Sequence, residues 1–144
     1  MIQQRVLTVE ALKGKPSKPG KPSETQPQET LPWGVDRIDA DLVWNMDTSE
    51  GIKVAVLDTG IDLDHPDLQA NIAGEVNIIN PKRSGDDDNG HGTHVAGIIA
   101  AMDNEIGVIG VAPKTSLYAV KVLNRRRQGF LSDVIAGIQW CIEL

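Results

Sequence analysis

The feature that most constrains this chain is the run Ile52-Lys53-Val54-Ala55-Val56-Leu57, which is short, rich in β-branched residues and nearly all apolar. A run without a polar face fits a strand covered on both sides, the condition of a strand inside a parallel sheet. It stops at Asp58. Residues 76–79 and 117–122 read as further strands, and residues 91–102 and 131–144 have helical length and apolar spacing. Strands alternating with helices predict an α/β chain built on a parallel sheet.

At 144 residues with 40% hydrophobic side chains, the chain is long enough for one core and predicts one domain. Residues 13–29 contribute nothing to that core, since they hold Pro16, Pro19, Pro22 and Pro27 among polar residues and no aliphatic side chain. Residues 1–29 are therefore expected to be a polar arm or linker, with the globular part over 30–144. The net charge of -6 argues against nucleic acid as a partner, because such binding rests on neutralised phosphates. No stretch approaches a membrane span, and the first twelve residues lack the apolar core of an export signal. Cys141 is the only cysteine, which excludes an internal disulfide.

In open parallel sheets, reacting groups gather beyond the carboxyl ends of the strands. Asp58 falls at that edge, and the turn Asp88-Asn89-Gly90 supplies a helix cap that puts His91 in a first helical turn. A carboxylate at a strand end can accept a hydrogen bond from one imidazole nitrogen and leave the other to take a hydroxyl proton. Gly60 lets the chain turn after the strand, and Gly90 and Gly92 allow backbone to approach closely. Met102-Asp103-Asn104-Glu105-Ile106-Gly107-Val108 combines carboxylates, an amide and a glycine turn, which suits a hard cation such as calcium. Asp86-Asp87-Asp88 lacks the spacing of a cation loop and is expected to be solvated.

The chain resembles the subtilisin family of serine proteases. The resemblance rests on Val54-Ala55-Val56-Leu57-Asp58-Thr59-Gly60-Ile61-Asp62, His65-Pro66-Asp67-Leu68 and Asn89-Gly90-His91-Gly92-Thr93-His94-Val95-Ala96-Gly97. It continues through Gly107-Val108-Ile109-Gly110-Val111-Ala112-Pro113 and Leu117-Tyr118-Ala119-Val120-Lys121-Val122-Leu123. It implies a three-layer parallel sheet of the subtilisin type, short of its central strands, and secretion, protein or peptide substrates and peptide-bond hydrolysis by an Asp-His-Ser triad. Asp58 would be the orienting acid, His91 the general base and His94 a structural residue.

The resemblance also implies a calcium ion held by the backbone oxygens of Met102, Ile106 and Val108 and by side-chain oxygens of Asp67, Asn104 and Glu29. It aligns residues 124–131 with the edge that flanks extended substrates, pointing to Gln128, Gly129 and Leu131 as substrate-binding, with Arg125, Arg126 and Arg127 beside them.

The family's nucleophile lies in a Gly-Thr-Ser-Met-Ala segment, and none of Ser17, Ser23, Ser49, Ser84, Ser116 and Ser132 has that setting. Its oxyanion asparagine is likewise expected downstream of Leu144. The expectation is negligible proteolysis by these residues alone, with a carboxy-terminal half as their partner. Residues 1–9 would be at most a remnant of the family's prosegment.

Three rival readings stand beside this one. Asp58-Thr59-Gly60 also fits an aspartic protease, where two carboxylates share a proton. His91, His94 and Asp58 fit a zinc site. A noncatalytic assembly partner accounts for the missing serine.

Overall fold

A computed structural model describes residues 27–144 and the backbone of residues 6–8. Most of the arm expected over 1–29, and most of the prosegment remnant expected over 1–9, lie outside the described residues. In chain order the elements are β1 (Val6–Thr8), α1 (Trp33–Asp36), β2 (Lys53–Asp58), β3 (Ile72–Asn77), α2 (His91–Ala100), β4 (Ser116–Lys121), β5 (Gln128–Phe130) and α3 (Leu131–Ile142). Short 3-10 turns occupy Ala40–Leu42 and Gln69–Asn71.

The sheet has the order β2-β4-β3, and both pairings are parallel. Because strand side chains alternate, its two faces are built from interleaved residues. Val54 and Val56 of β2 and Leu117 and Ala119 of β4 pack with Ala96 and Ala100 of α2. Ala55 and Leu57, with Val120 and Val122, pack with Val134 and Trp140 of α3. The expected three layers follow, with α2 on one face and α3 on the other. This double burial explains why the first strand carries no polar face.

β3 begins at Ile72, four residues before the expected 76–79 strand, and ends at Asn77. Ala73-Gly74-Glu75 lacks strand-like patterning, yet a bulge between Ile72 and Gly74 keeps it paired, and the Tyr118 ring fills the space a side chain at Gly74 would need. α2 ends at Ala100 rather than residue 102. Beyond it the Ala101 carbonyl accepts from Gly110 and the Met102 amide donates to Asp67 O, so the backbone leaves the helix for other partners. α3 ends at Ile142, two residues earlier than expected.

Two glycines bring the end of β2 against the start of α2. Gly60 has φ +104°, and an added Cβ would stand 2.1 Å from Gly85 O. At Gly92 an added Cβ would stand 2.1 Å from Gly60 O and 3.1 Å from Asp58 Cβ. Backbone meets backbone here, which sets the separation between the last residue of β2 and the first turn of α2.

Candidate active site

Asp58 closes β2 and is only 8% exposed. Its Oδ1 accepts from the Thr59 amide at 2.7 Å. His91 opens α2, and its Nδ1 lies 2.8 Å from both Asp58 oxygens. The His91 side chain remains 27% exposed. A ring nitrogen held by a carboxylate carries the proton, so Nε2 is the acceptor, ready to take a proton from a hydroxyl. The two residues chosen from the sequence as acid and base are thus in direct contact.

The cap expected from Asp88-Asn89-Gly90 takes a different form. The N-cap residue is Gly90, at φ 100°, which has no side chain to offer. Within the expected turn Asn89 Oδ1 accepts the His91 amide at 3.2 Å, and Asp87 adds further acceptors: its Oδ1 receives the Asn89 and Gly90 amides at 2.9 and 3.0 Å and the Thr59 hydroxyl at 2.8 Å. Its Oδ2 receives the Thr93 amide at 3.0 Å and the Thr93 hydroxyl at 2.6 Å. Burial pushes the Asp87 carboxyl up, but the Thr93 hydroxyl and the Gly90, Asn89 and Thr93 amides outweigh it and hold its pKa below 3.8.

Asp86 and Asp88 are exposed, as expected of a solvated loop, but Asp87 is half-buried and all three carboxylates are bonded into the fold. Asp86 Oδ1 accepts from the Leu63 amide at 3.2 Å, and Asp88 pairs with Lys121 at 2.7 Å. Lys121 is the register partner of Asp58 across β2 and β4, and its ammonium also donates to Thr59 O. Neither Asp87 nor Lys121 was singled out in the sequence. A lysine closing an otherwise apolar strand was the available signal for Lys121; for Asp87 it was an aspartate just ahead of a helix whose cap is glycine.

The loop expected to hold calcium is assembled from three segments. Residues 28–30 run beside residues 106–108, with the Glu29 amide donating to Glu105 O and the Thr30 amide to Gly107 O, both at 3.0 Å. Those contacts use carbonyls other than the expected ligands Met102, Ile106 and Val108. Glu29 Oε1 accepts from the Asn104 amide at 2.9 Å, Asn104 Oδ1 from the Ile106 amide at 3.2 Å, and Asp67 Oδ2 from the Val108 amide at 3.0 Å. Asp67 is 3% exposed, and its Oδ1 is buried without a hydrogen-bond partner. A buried carboxylate oxygen left unpaired is costly, and a hard cation removes that cost. The residues present thus fit calcium.

β5 follows a tight turn in which Asn124 Oδ1 accepts from the Arg126 and Gln128 amides. Arg127 occupies the left-handed region at φ 59°. β5 pairs antiparallel with β1, matching Leu7 to Gly129. A shallow pocket of about 150 Å³ is lined by Asn124, Gln128, Gly129 and Phe130. Of the expected substrate-binding residues, Gln128 and Gly129 lie on β5 and Leu131 opens α3. Asn89 Nδ2 donates to Arg125 O at 2.8 Å, which ties this turn to the His91 loop.

The rival readings fare less well. His94 is exposed, and among the described residues no group of three His, Cys, Asp or Glu side chains stands close enough to hold a metal ion. The zinc reading thus loses its geometry. An aspartic protease would leave the His91–Asp58 contact without a purpose, and the layered α/β fold is not the nearly all-β fold it requires.

Residues 49–143 match the subtilase family. An intracellular serine protease of Paenibacillus polymyxa is 50% identical over 125 residues, covering 83% of this chain and 38% of that protein. A thermostable alkaline protease of Halalkalibacterium halodurans is 50% identical over 124 residues, covering 85% and 34%. Subtilisin Savinase of Lederbergia lenta is 50% identical over 113 residues, covering 78% and 41%. The chain thus spans between 34% and 41% of the length of these relatives.

Proposed function

The chain belongs to the subtilase family, and from that premise we propose that it supplies the acid and base of a serine endopeptidase whose nucleophile comes from residues beyond these 144. The observation that carries the reading is the His91 Nδ1 contact to both oxygens of Asp58 at 2.8 Å. His91 Nε2 takes the serine proton as the hydroxyl attacks the peptide carbonyl, and Asp58 stabilises the imidazolium that forms. His91 then gives the proton to the leaving amine and activates water to release the acyl group. The carbonyl oxygen that becomes negative needs donors from outside these residues.

An extended peptide is read as adding to the edge of β5, with Gln128 and Gly129 in line and Leu131 at its end. The chain's own Val6–Thr8 pairing antiparallel to Gln128–Phe130 supports this, because it is the geometry of strand addition. Calcium would be held by Asp67, Asn104 and Glu29 with the Met102, Ile106 and Val108 carbonyls; when bound it supplies positive charge that fastens the loop and takes no part in bond cleavage. Partnership with a carboxy-terminal half is supported by the apolar surface of α3, where Ile135, Ile138 and Ile142 are 56%, 50% and 80% exposed. The polar stretch of the 1–29 arm is read as a linker, apart from Val6–Thr8, which pair with β5, and residues 28–29, which join the 104–107 loop. The name of the Paenibacillus relative puts that protein inside the cell; secretion of this chain is inferred from the family resemblance alone.

The test is hydrolysis of a general protein substrate with calcium present. The full-length polypeptide that carries these residues is expected to cleave, to be blocked by a serine-directed sulfonyl fluoride and to lose activity as His91→Ala. The 144 residues alone are expected not to cleave. Cleavage by those residues that disappears in His91→Ala would overturn the claim that the nucleophile lies elsewhere, and pepstatin inhibition would favour the aspartic rival.

A further inference from the structure

We propose that Asp87 is the positioning residue that sets the Asp58–His91 geometry, acting through Thr59 on one side and the first turn of α2 on the other. The inference rests on the protease reading above and adds a residue to it. Asp87 is the one carboxylate of its triplet that reaches both halves of the catalytic pair. Through the Thr59 hydroxyl it holds the residue that follows Asp58, whose amide in turn donates to Asp58 Oδ1. Through the Gly90 amide and the Thr93 amide and hydroxyl it holds residues on either side of His91.

A carboxylate has two oxygens and about four lone-pair directions. The Thr59, Asn89, Gly90 and Thr93 donors occupy them all, so Asp87 is a fastener with no acceptor left for a ligand. Its charge also faces the amide end of α2, which the dipole of the helix favours. Gly90 cannot cap that end, and Gly92 must be bare for Gly60 to pass, so the task falls to side chains ahead of the helix: Asn89, which takes the His91 amide at 3.2 Å, and Asp87, which alone also reaches Thr59. The Thr59 hydroxyl accepts from the Gly92 amide at 3.1 Å, so the link from Asp87 through Thr59 returns to the helix beside His91. Moving a catalytic group by about 1 Å can lower turnover about a hundredfold without any change in the chemistry.

The test uses the full-length polypeptide. Asp87→Asn keeps the size of the side chain but turns one acceptor into a donor, opposite amides that need an acceptor. Turnover per titrated active site is measured with a peptide substrate, and the downfield proton on His91 Nδ1 is followed by NMR with labelled histidine. The expected result is a loss in kcat of roughly ten- to a hundredfold with KM within about twofold, and a shifted or broadened proton resonance. Thr59→Val is expected to act in the same direction, Thr59→Ser to recover most of that loss, and the double variant to fall little further than the worse single one. Unchanged kcat with an unshifted resonance would overturn the proposal, and so would a loss of thermal stability with both readings intact. If Asp87→Asn does not fold, the Thr59 pair of variants carries the test. A His91→Ala variant as active as the parent would sink the protease reading instead, and the resonance, which needs no turnover, would still decide the role of Asp87.

Discussion

His91 Nδ1 sits 2.8 Å from each oxygen of Asp58, so the imidazole is held by the whole carboxylate rather than by one corner of it. This contact joins the last residue of a buried strand to the first residue of a helix. It fixes the ring orientation and the tautomer together.

Asp58→Asn tests that contact. An amide can hold the ring but offers a hydrogen where Nδ1–H needs an acceptor, which favours the wrong tautomer. In the full-length polypeptide, kcat is expected to fall about ten-thousandfold with little change in KM, read by steady-state hydrolysis of a chromogenic peptide.

Gly92→Ala tests the backbone contact. Its Cβ would stand 2.1 Å from Gly60 O, so the strand end and the helix must separate. The expected cost is about 1–3 kcal/mol in chemical denaturation, as for other overpacked sites, with the loss of activity exceeding the loss of folded protein.

The depressed pKa of Asp87 predicts a pH dependence of stability. Its folded pKa lies below the ordinary 3.8, so its contribution is present above that value and is lost as pH falls through the folded pKa. Between these limits the parent's stability is expected to decline with acid more steeply than that of Asp87→Asn, which has no carboxyl to protonate there. Urea midpoints measured from pH 5 downward, with the two curves converging, would check this; parallel curves would refute it.

Asp67 predicts a response to chelation. Its buried Oδ1 lacks a hydrogen-bond partner, and calcium at about a hundred times its Kd is expected to stabilise the fold by about 2.7 kcal/mol. Chelator should lower the melting temperature of the parent, while Asp67→Asn should melt at one temperature with or without calcium.

Lys121→Met tests the second fastening of the strand end. Lys121 is 4% exposed, and its loss leaves Thr59 O without its ammonium donor. Asp88 is half exposed and recovers water, so the expected cost is about 1–3 kcal/mol in thermal or urea unfolding, the range for one buried group left unsatisfied.

The sequence made the layered fold readable because β2 and β4 are buried on both faces and carry the composition that such burial selects. Asp58 and His91 were readable for a related reason, since glycines mark where two backbones must touch. The start of β3 was hidden because Ala73-Gly74-Glu75 is held by pairing with β4 and not by its own patterning. Asp87 was hidden because three adjacent aspartates look alike in a string, and only the folded path gives them different partners: Leu63, Thr59 with Thr93, and Lys121.

The meeting of Gly60 with Gly92 has a consequence for how this region can vary. When two side chains collide, trimming one relieves the other, so a damaging change can be rescued by a second change nearby. A side chain added at position 92 would instead meet the Gly60 carbonyl, which every residue possesses and no substitution can shorten. A search for revertants of Gly92→Ala should therefore return restored glycine and no second-site changes, which makes the spacing between Asp58 and His91 depend on this one position.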